Sequence, residues 1–383
     1  MEPYLPNYLK GKNRRLVFDL LRERGQMSRA EITRDTGMSF PTAMKVVDAF
    51  LEKGLLVELD ETGPAADAGR KGRLLRFEPG AYRAVGVECE GRFARVGLAD
   101  MAGGVQARET IELGDFARTR DLSPLAAAIR RMCAAANGAP VLGVCIGFPA
   151  NLDPDAAAIV SYAAMDIQQP TSFAQVFPAF WREVELPVYL ENDANLACEG
   201  EAFLRRGAGG AANMLYLSIG SGCGGAVRLD GKLRRGARCR AGEVGAMLLQ
   251  PALGAPGRSA ARETLEDAVC LAALERRFGA ALRDGAQPGE ASAQAMRDYL
   301  CGPLSGAVYS LVMTLDVELC VLAGIVPGAL GMQLCTQVSE ALRAALPEST
   351  PVRVEPSVSA DAGVIGAAAT VFERSLDALL GSG

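Results

Sequence analysis

A chain of 383 residues, 49% of them hydrophobic and with a net charge of −5, exceeds one compact core and calls for two or three domains. It has no histidine, which removes imidazole acid/base chemistry, Ser-His-Asp triads and the usual zinc sites, and its ten cysteines contain no C-x-x-C, a pattern of reduced, mostly buried thiols. The charge is uneven: residues 1–80 hold 14 Lys+Arg against 12 Asp+Glu, a net of +2 that leaves −7 for the remainder, as expected of a nucleic-acid-binding head on an acidic body.

Met1–Lys12 has no signal-peptide core and no apolar run reaches the roughly 18 residues of a membrane span, so a cytoplasmic protein with no membrane partner is expected. Arg14–Arg24 places Leu16, Val17, Leu20 and Leu21 on one helical stripe that Gly25 closes. Ser28-Arg29-Ala30-Glu31 is a capping box that starts a second helix ending at Gly37. Ser39 then caps a third helix, with Pro41 in its first turn and Ala43, Val46, Val47, Phe50 and Leu51 turned inward. Leu55–Leu59 and Arg73–Phe77 read as paired strands around a Gly/Pro/Ala-rich loop, Asp60–Gly72, tipped by Arg70 and Lys71. Cap, turn and wing together predict a winged helix-turn-helix over residues 1–80. In that geometry Ser39, Phe40, Thr42 and Lys45 enter the major groove of double-stranded DNA, while Arg70, Lys71 and Arg73 meet phosphates or the minor groove. A small helical protein-binding module with ordinary surface charges is the alternative.

After the linker Glu78-Pro79-Gly80, Tyr82–Val87 and Ala94–Ala99 read as a hairpin, Pro124–Ala136 as a helix, Val141–Ile146 as a strand and Phe173–Glu183 as a helix. Three loaded pieces follow. The strand Val188–Leu190 runs into Asn192 and Asp193, where a hydroxyl-rich ligand would meet both, unless they serve only as a turn or helix cap for Leu196–Arg206. The strand Met214–Ile219 runs into Gly220-Ser221-Gly222-Cys223-Gly224-Gly225, whose missing Cβ atoms let backbone N–H groups face an anion or pack closely. Ala241-Gly242-Glu243-Val244-Gly245 is the third. Gly279–Ala293 reads as a helix pair joined at Asp284–Pro288, and Tyr299–Leu315 as a helix.

In this order and spacing the pieces resemble the ROK family of bacterial repressors, open reading frames and sugar kinases, and the resemblance covers nearly the whole chain. Gly37–Thr42 and the wing's G-R-K-G-R are similar to the DNA-binding head of ROK repressors, including those of xylose and N-acetylglucosamine operons. The resemblance implies an α/β fold: an N-terminal winged helix-turn-helix followed by a two-lobed, actin-like, hexokinase-type (RNase H-like) ATPase fold. Its first lobe would span 81–190 and its second 191–383, with the final helix returning to the first lobe.

For this chain the resemblance implies a sugar site of Asn192, Asp193, Glu243 and Glu266, in which Asp193 is the kinases' general base and here a vestige of it. It also marks departures. The kinases' phosphate turn D-x-G-G-T matches Glu88-Cys89-Glu90-Gly91-Arg92. A carboxylate about 4 Å from a phosphate costs roughly 4 kcal/mol per charge pair at an effective dielectric of about 20, which Arg92 would offset only in part. Gly147-Phe148-Pro149-Ala150 resembles the family's G-x-P-G loop, and Ala246 replaces the histidine that touches sugar and zinc. Gln250–Ala261 lacks every zinc-motif cysteine, so no metal and no cofactor are expected. The expected protein is therefore a non-enzymatic, homodimeric repressor on an inverted-repeat operator, sensing a sugar or sugar phosphate; the alternative is an active ATP-dependent sugar kinase with a regulatory head.

Overall fold

The computed structural model of the chain describes residues 6–59, 73–206, 210–249, 263–279, 282 and 288–380. Helix Pro6–Arg24 buries Val17, Phe18 and Leu21 and leaves Leu16 44% exposed, because Phe18 takes the inward place that Leu16 was expected to hold. The Phe18 ring meets Phe50 and Phe77 edge-on. Both halves of the Ser28–Glu31 capping box form, and Gly37 ends helix Arg29–Thr36 with a φ of 67°. The third helix, Phe40–Glu52, buries Ala43, Val46, Val47 and Phe50. Ser39 precedes it without a side-chain cap: its hydroxyl bonds the Thr42 hydroxyl at 2.8 Å instead of a backbone amide. The wing strands are Leu56–Glu58 and Leu74–Phe77, and the latter also pairs with Gln26–Ser28, a strand not expected from the sequence. Arg70 and Lys71, in the loop 60–72, lie outside the described residues.

Two five-stranded sheets build the body. Around central strand Arg83–Glu90, the first has the antiparallel neighbours Phe93–Asp100 and Val105–Glu112 on one side and the parallel Val141–Phe148 and Val188–Asn192 on the other. The second repeats this plan around Met214–Ile219, with Cys223–Leu229 and Lys232–Arg234 antiparallel and Leu319–Ala323 and Arg353–Pro356 parallel. Each sheet has its own apolar core. In the first, Phe148 is ringed by Phe116, Tyr162, Phe173 and Phe177. Helix 173–183 is interrupted: Phe177 leaves helical geometry ahead of Pro178, giving Phe173–Val176 and Pro178–Glu183. The helix expected at Tyr299–Leu315 starts earlier and runs Glu290–Leu315. Of the expected pair over Gly279–Ala293, Gly279 is instead the left-handed cap of Leu271–Phe278, and residues 280, 281 and 283–287 lie outside the described residues.

The last helix, Ala362–Leu379, lies against strand Arg83–Glu90 of the first sheet and against helix Asp193–Leu204. Glycines allow that approach: a Cβ on Gly200 would sit 1.8 Å from the Ala362 carbonyl oxygen, and one on Gly366 would sit 1.9 Å from that of Leu196. The head docks on the same last helix. Val17, Phe18 and Leu21 share one apolar cluster with Val371, Phe372 and Leu376, and Arg14 donates to the Leu380 carbonyl at 2.9 Å.

Candidate functional site

The turns that follow the central strands meet across a cleft. In the first sheet the turn is Gly91-Arg92; in the second it is Gly220-Ser221-Gly222, and Ser221 Oγ lies 4.0 Å from the Cβ position of Gly91. Between them opens a cavity of about 860 Å³ whose walls include Asn192, Asp193, Glu243 and Glu266, so all four expected ligand residues come together.

Strand Val188–Asn192 ends with Asn192 as the helix cap, its Oδ1 accepting the Asn195 N–H at 3.1 Å and its Nδ2 donating to the Ala150 carbonyl at 3.4 Å. The helix expected from Leu196 begins at Asp193, and Asn192 caps it, a role that leaves ligand contact open to both residues. Asp193 Oδ1 accepts the Ala194 N–H at 2.9 Å, and the side chain faces the cavity. Burial, with the Glu90 and Glu243 charges adding to it, raises its pKa to about 6 despite the backbone donors.

A folded value above the ordinary carboxyl range means that the native state keeps a proton the unfolded chain has lost. The stability owed to Asp193 therefore falls as pH rises from that range through about 6. Asp193→Asn, which carries no charge, is expected to stabilise the protein by about 1–2 kcal/mol at pH 8 and by less at pH 5. Urea unfolding at the two pH values checks this, and a variant less stable than the parent at pH 8 would contradict it.

Glu191, buried at the same strand end, accepts from Asn195 Nδ2 at 2.9 Å and from Arg235 at 2.7 Å, which ties the loop before Glu243 to the cleft wall. Asn151 belongs to the site although the sequence reading omitted it. With its amide oriented to satisfy both ends, it donates to Glu243 Oε1 at 2.7 Å and to the Cys239 carbonyl at 3.3 Å, and accepts from Ser161 Oγ at 3.0 Å. Its signal in the sequence is its place directly after the Gly147–Ala150 loop. Burial raises the Glu243 pKa, with Arg240 opposing the shift. Glu266 accepts the Cys223 N–H at 2.8 Å and so closes the turn of the second sheet.

The facing turn carries its own negative charge. Glu90 Oε1 lies 2.9 Å from the Cβ position of Gly220, which puts a carboxylate against the glycine loop. Arg92 does not offset it: Arg92 is exposed and pairs with Glu112, and the cation beside the acids is Arg95, 2.9 Å from Glu88 and 3.4 Å from Glu90. Even so, burial raises Glu88 to about 7. Ala246 ends the short turn Val244–Ala246, and the segment 250–262, where the family's zinc motif falls, lies outside the described residues.

On the head, Ser39, Phe40 and Lys45 are exposed along the start of helix Phe40–Glu52 and Thr42 is half-buried. Arg73 is exposed and pairs with Glu58 at 3.1 Å. Cleft and head are joined by helix Asp193–Leu204: Asn192 and Asp193 stand at its start, and near its end Arg22 of the head stacks 4.8 Å from the Phe203 ring centroid.

The sequence model of the ROK family matches residues 84–374. The chain is 26% identical over 241 residues to a xylose repressor of Caldicellulosiruptor bescii, covering 62% of this chain and 58% of that protein. It is 34% identical over 141 residues to a glucokinase of Halalkalibacterium halodurans, covering 35% of this chain and 40% of that protein. In both cases the match spans less than two thirds of the relative's own length. Among solved structures, a ROK family transcriptional regulator described as a homolog of the E. coli MLC protein superposes with a TM-score of 0.76 over 97% of this chain and 98% of that one; at 17% identity this shows the fold. A ROK hexokinase from Thermus thermophilus gives a TM-score of 0.58 at 26% identity, over 76% of this chain and 98% of that one.

Proposed function

This chain belongs to the ROK family, and on that premise we propose that it is a DNA-binding transcriptional regulator, a repressor of carbohydrate genes whose kinase-derived body senses a sugar. The observation that carries the reading is a head that shares one apolar cluster with the last helix of a body whose phosphate turn is occupied by Glu90. The first half supports a head whose DNA binding responds to the body; the second disfavours efficient phosphoryl transfer, which depends on positioning phosphates and stabilising their charge. The relatives named as xylose repressors agree with it.

The winged helix-turn-helix is assigned to residues 1–80 and the lobes to 81–190 and 191–383, with the final helix of the second returning to the first. Ser39, Phe40, Thr42 and Lys45 read the major groove, with Arg70, Lys71 and Arg73 on the backbone or minor groove. Asn192, Asp193, Glu243 and Glu266 hold sugar hydroxyls, for which carboxylates and amides offer paired acceptors and donors. No zinc or other cofactor takes part. Two copies read an inverted repeat with half-sites one or more helical turns apart. The sugar acts by its differential affinity for two arrangements of the lobes, passed to Arg22 through the helix that begins at Asp193.

A second reading, an active sugar kinase, is favoured by one feature: Asp193 faces the cavity with a pKa near 6, a value suited to a general base. A coupled assay with ATP and common hexoses separates the two. The regulator reading expects no turnover above background; turnover that Asp193→Asn abolishes would establish the kinase instead.

A further inference from the structure

Resting on the sensor reading above, we propose that the cleft selects its carbohydrate by charge: an amine-bearing, cationic sugar binds best, a neutral sugar less well and a phosphorylated sugar least. Six carboxylates face the cavity among the described residues, Glu88, Glu90, Asp166, Asp193, Glu243 and Glu266, against one guanidinium, Arg240. Arg240 acts electrostatically on Glu243, so it is already partly balanced. Arg95, beside the cleft, is divided between Glu88 and Glu90.

Two backbone donors of the glycine loop that could meet a phosphate are used within the protein. Gly220 N–H donates to the Gly222 carbonyl at 2.9 Å and Cys223 N–H to Glu266 at 2.8 Å, while Glu90 stands over Gly220. An incoming phosphate would meet carboxylates and find those amides taken, and like charges brought together without solvent between them oppose binding.

An ammonium meets the opposite situation. Asp193 accepts hydrogen bonds from backbone amides alone, so carboxylate oxygen remains for a charged donor. A cation there also reduces the mutual repulsion of Asp193, Glu90 and Glu243. The hydroxyls of the same sugar are left to Asn192, Glu243 and Glu266.

Calorimetric titration of the full chain with glucosamine, glucose and glucose 6-phosphate, and with the matching mannose and galactose sets, tests the order. N-acetylglucosamine serves as the control that keeps the substituent and loses the charge. Within the sugar frame that binds, the amine is expected to bind about tenfold tighter than the neutral sugar and the phosphate about tenfold or more weaker. The acetylated sugar is expected to bind no better than the neutral one. Glu90→Gln is expected to narrow the gap between neutral and phosphorylated sugars severalfold. A phosphate that binds as tightly as its parent sugar, or an amine that binds more weakly, overturns the charge order while leaving the sensor reading intact. Absence of binding across every set overturns both.

Discussion

Replacing Thr42 and Lys45 together by alanine is expected to lower operator affinity by about two orders of magnitude while leaving the fold and its unfolding midpoint unchanged. Thr42 is half-buried and Lys45 exposed on the first turns of helix Phe40–Glu52, and the buried residues Ala43, Val46, Val47 and Phe50 on its other face are untouched. A specific base contact contributes roughly 1–3 kcal/mol, and loss of one phosphate contact reduces the salt dependence by about one unit of slope. Fluorescence anisotropy at several salt concentrations separates the two contributions. Unchanged affinity in the double variant would remove this face from the DNA interface. Thr42→Ala alone is expected also to free the Ser39 hydroxyl, which it bonds at 2.8 Å.

The other large effect is structural. Gly200→Ala places a methyl group 1.8 Å from the Ala362 carbonyl oxygen and 3.0 Å from Gly366 N, and both neighbours are backbone atoms that no rotamer change can move. The two helices must part, which disturbs the packing of the last helix on the first sheet and the cluster it shares with the head. A loss of about 3–5 kcal/mol is expected, at the upper end for overpacking. Gly306→Ala is the contrast: this exposed position lies inside helix Glu290–Leu315 with nothing within 4 Å of the new carbon, so alanine is expected to stabilise by about 0.5–1 kcal/mol. Denaturant unfolding of the pair reads both signs. A Gly200→Ala protein as stable as its parent would mean that the helices do not approach this closely.

The parts of the fold legible in the sequence were those set by local chemistry. The Ser28–Glu31 box, the Gly37 stop and the Pro41 entry each act within one turn of chain, and each stands where the residues imply. Gln26–Ser28 was not legible because its partner, Leu74–Phe77, lies across the wing and three residues carry too little pattern. That Arg95 and not Arg92 is the neutralising cation is hidden in the sequence for a related reason. Only the register of the hairpin, which sets Glu88 opposite Arg95, shows which arginine stands beside the acids. At Asn192 the strand runs straight into the helix, so capping falls to the last strand residue and Asp193 is left facing the cleft. For Asn151 the sequence offers only its place after the Gly147–Ala150 loop; its role shows after folding, since Glu243, its partner, lies far along the chain and approaches across the cleft.

The central claim is that one molecule couples carbohydrate binding in the cleft to DNA binding by the head, along the helix that carries Asp193 at one end and Phe203 near the other. Its most direct test is fluorescence anisotropy of the purified full chain on duplex DNA from upstream of its own gene, with and without a panel of carbohydrates. The expected result is tight, salt-dependent binding that one carbohydrate shifts by about five- to 150-fold, the usual range of allosteric coupling, and that no longer responds when Phe203→Ala removes the stack on Arg22. Specific DNA binding indifferent to every carbohydrate in the panel would contradict the claim.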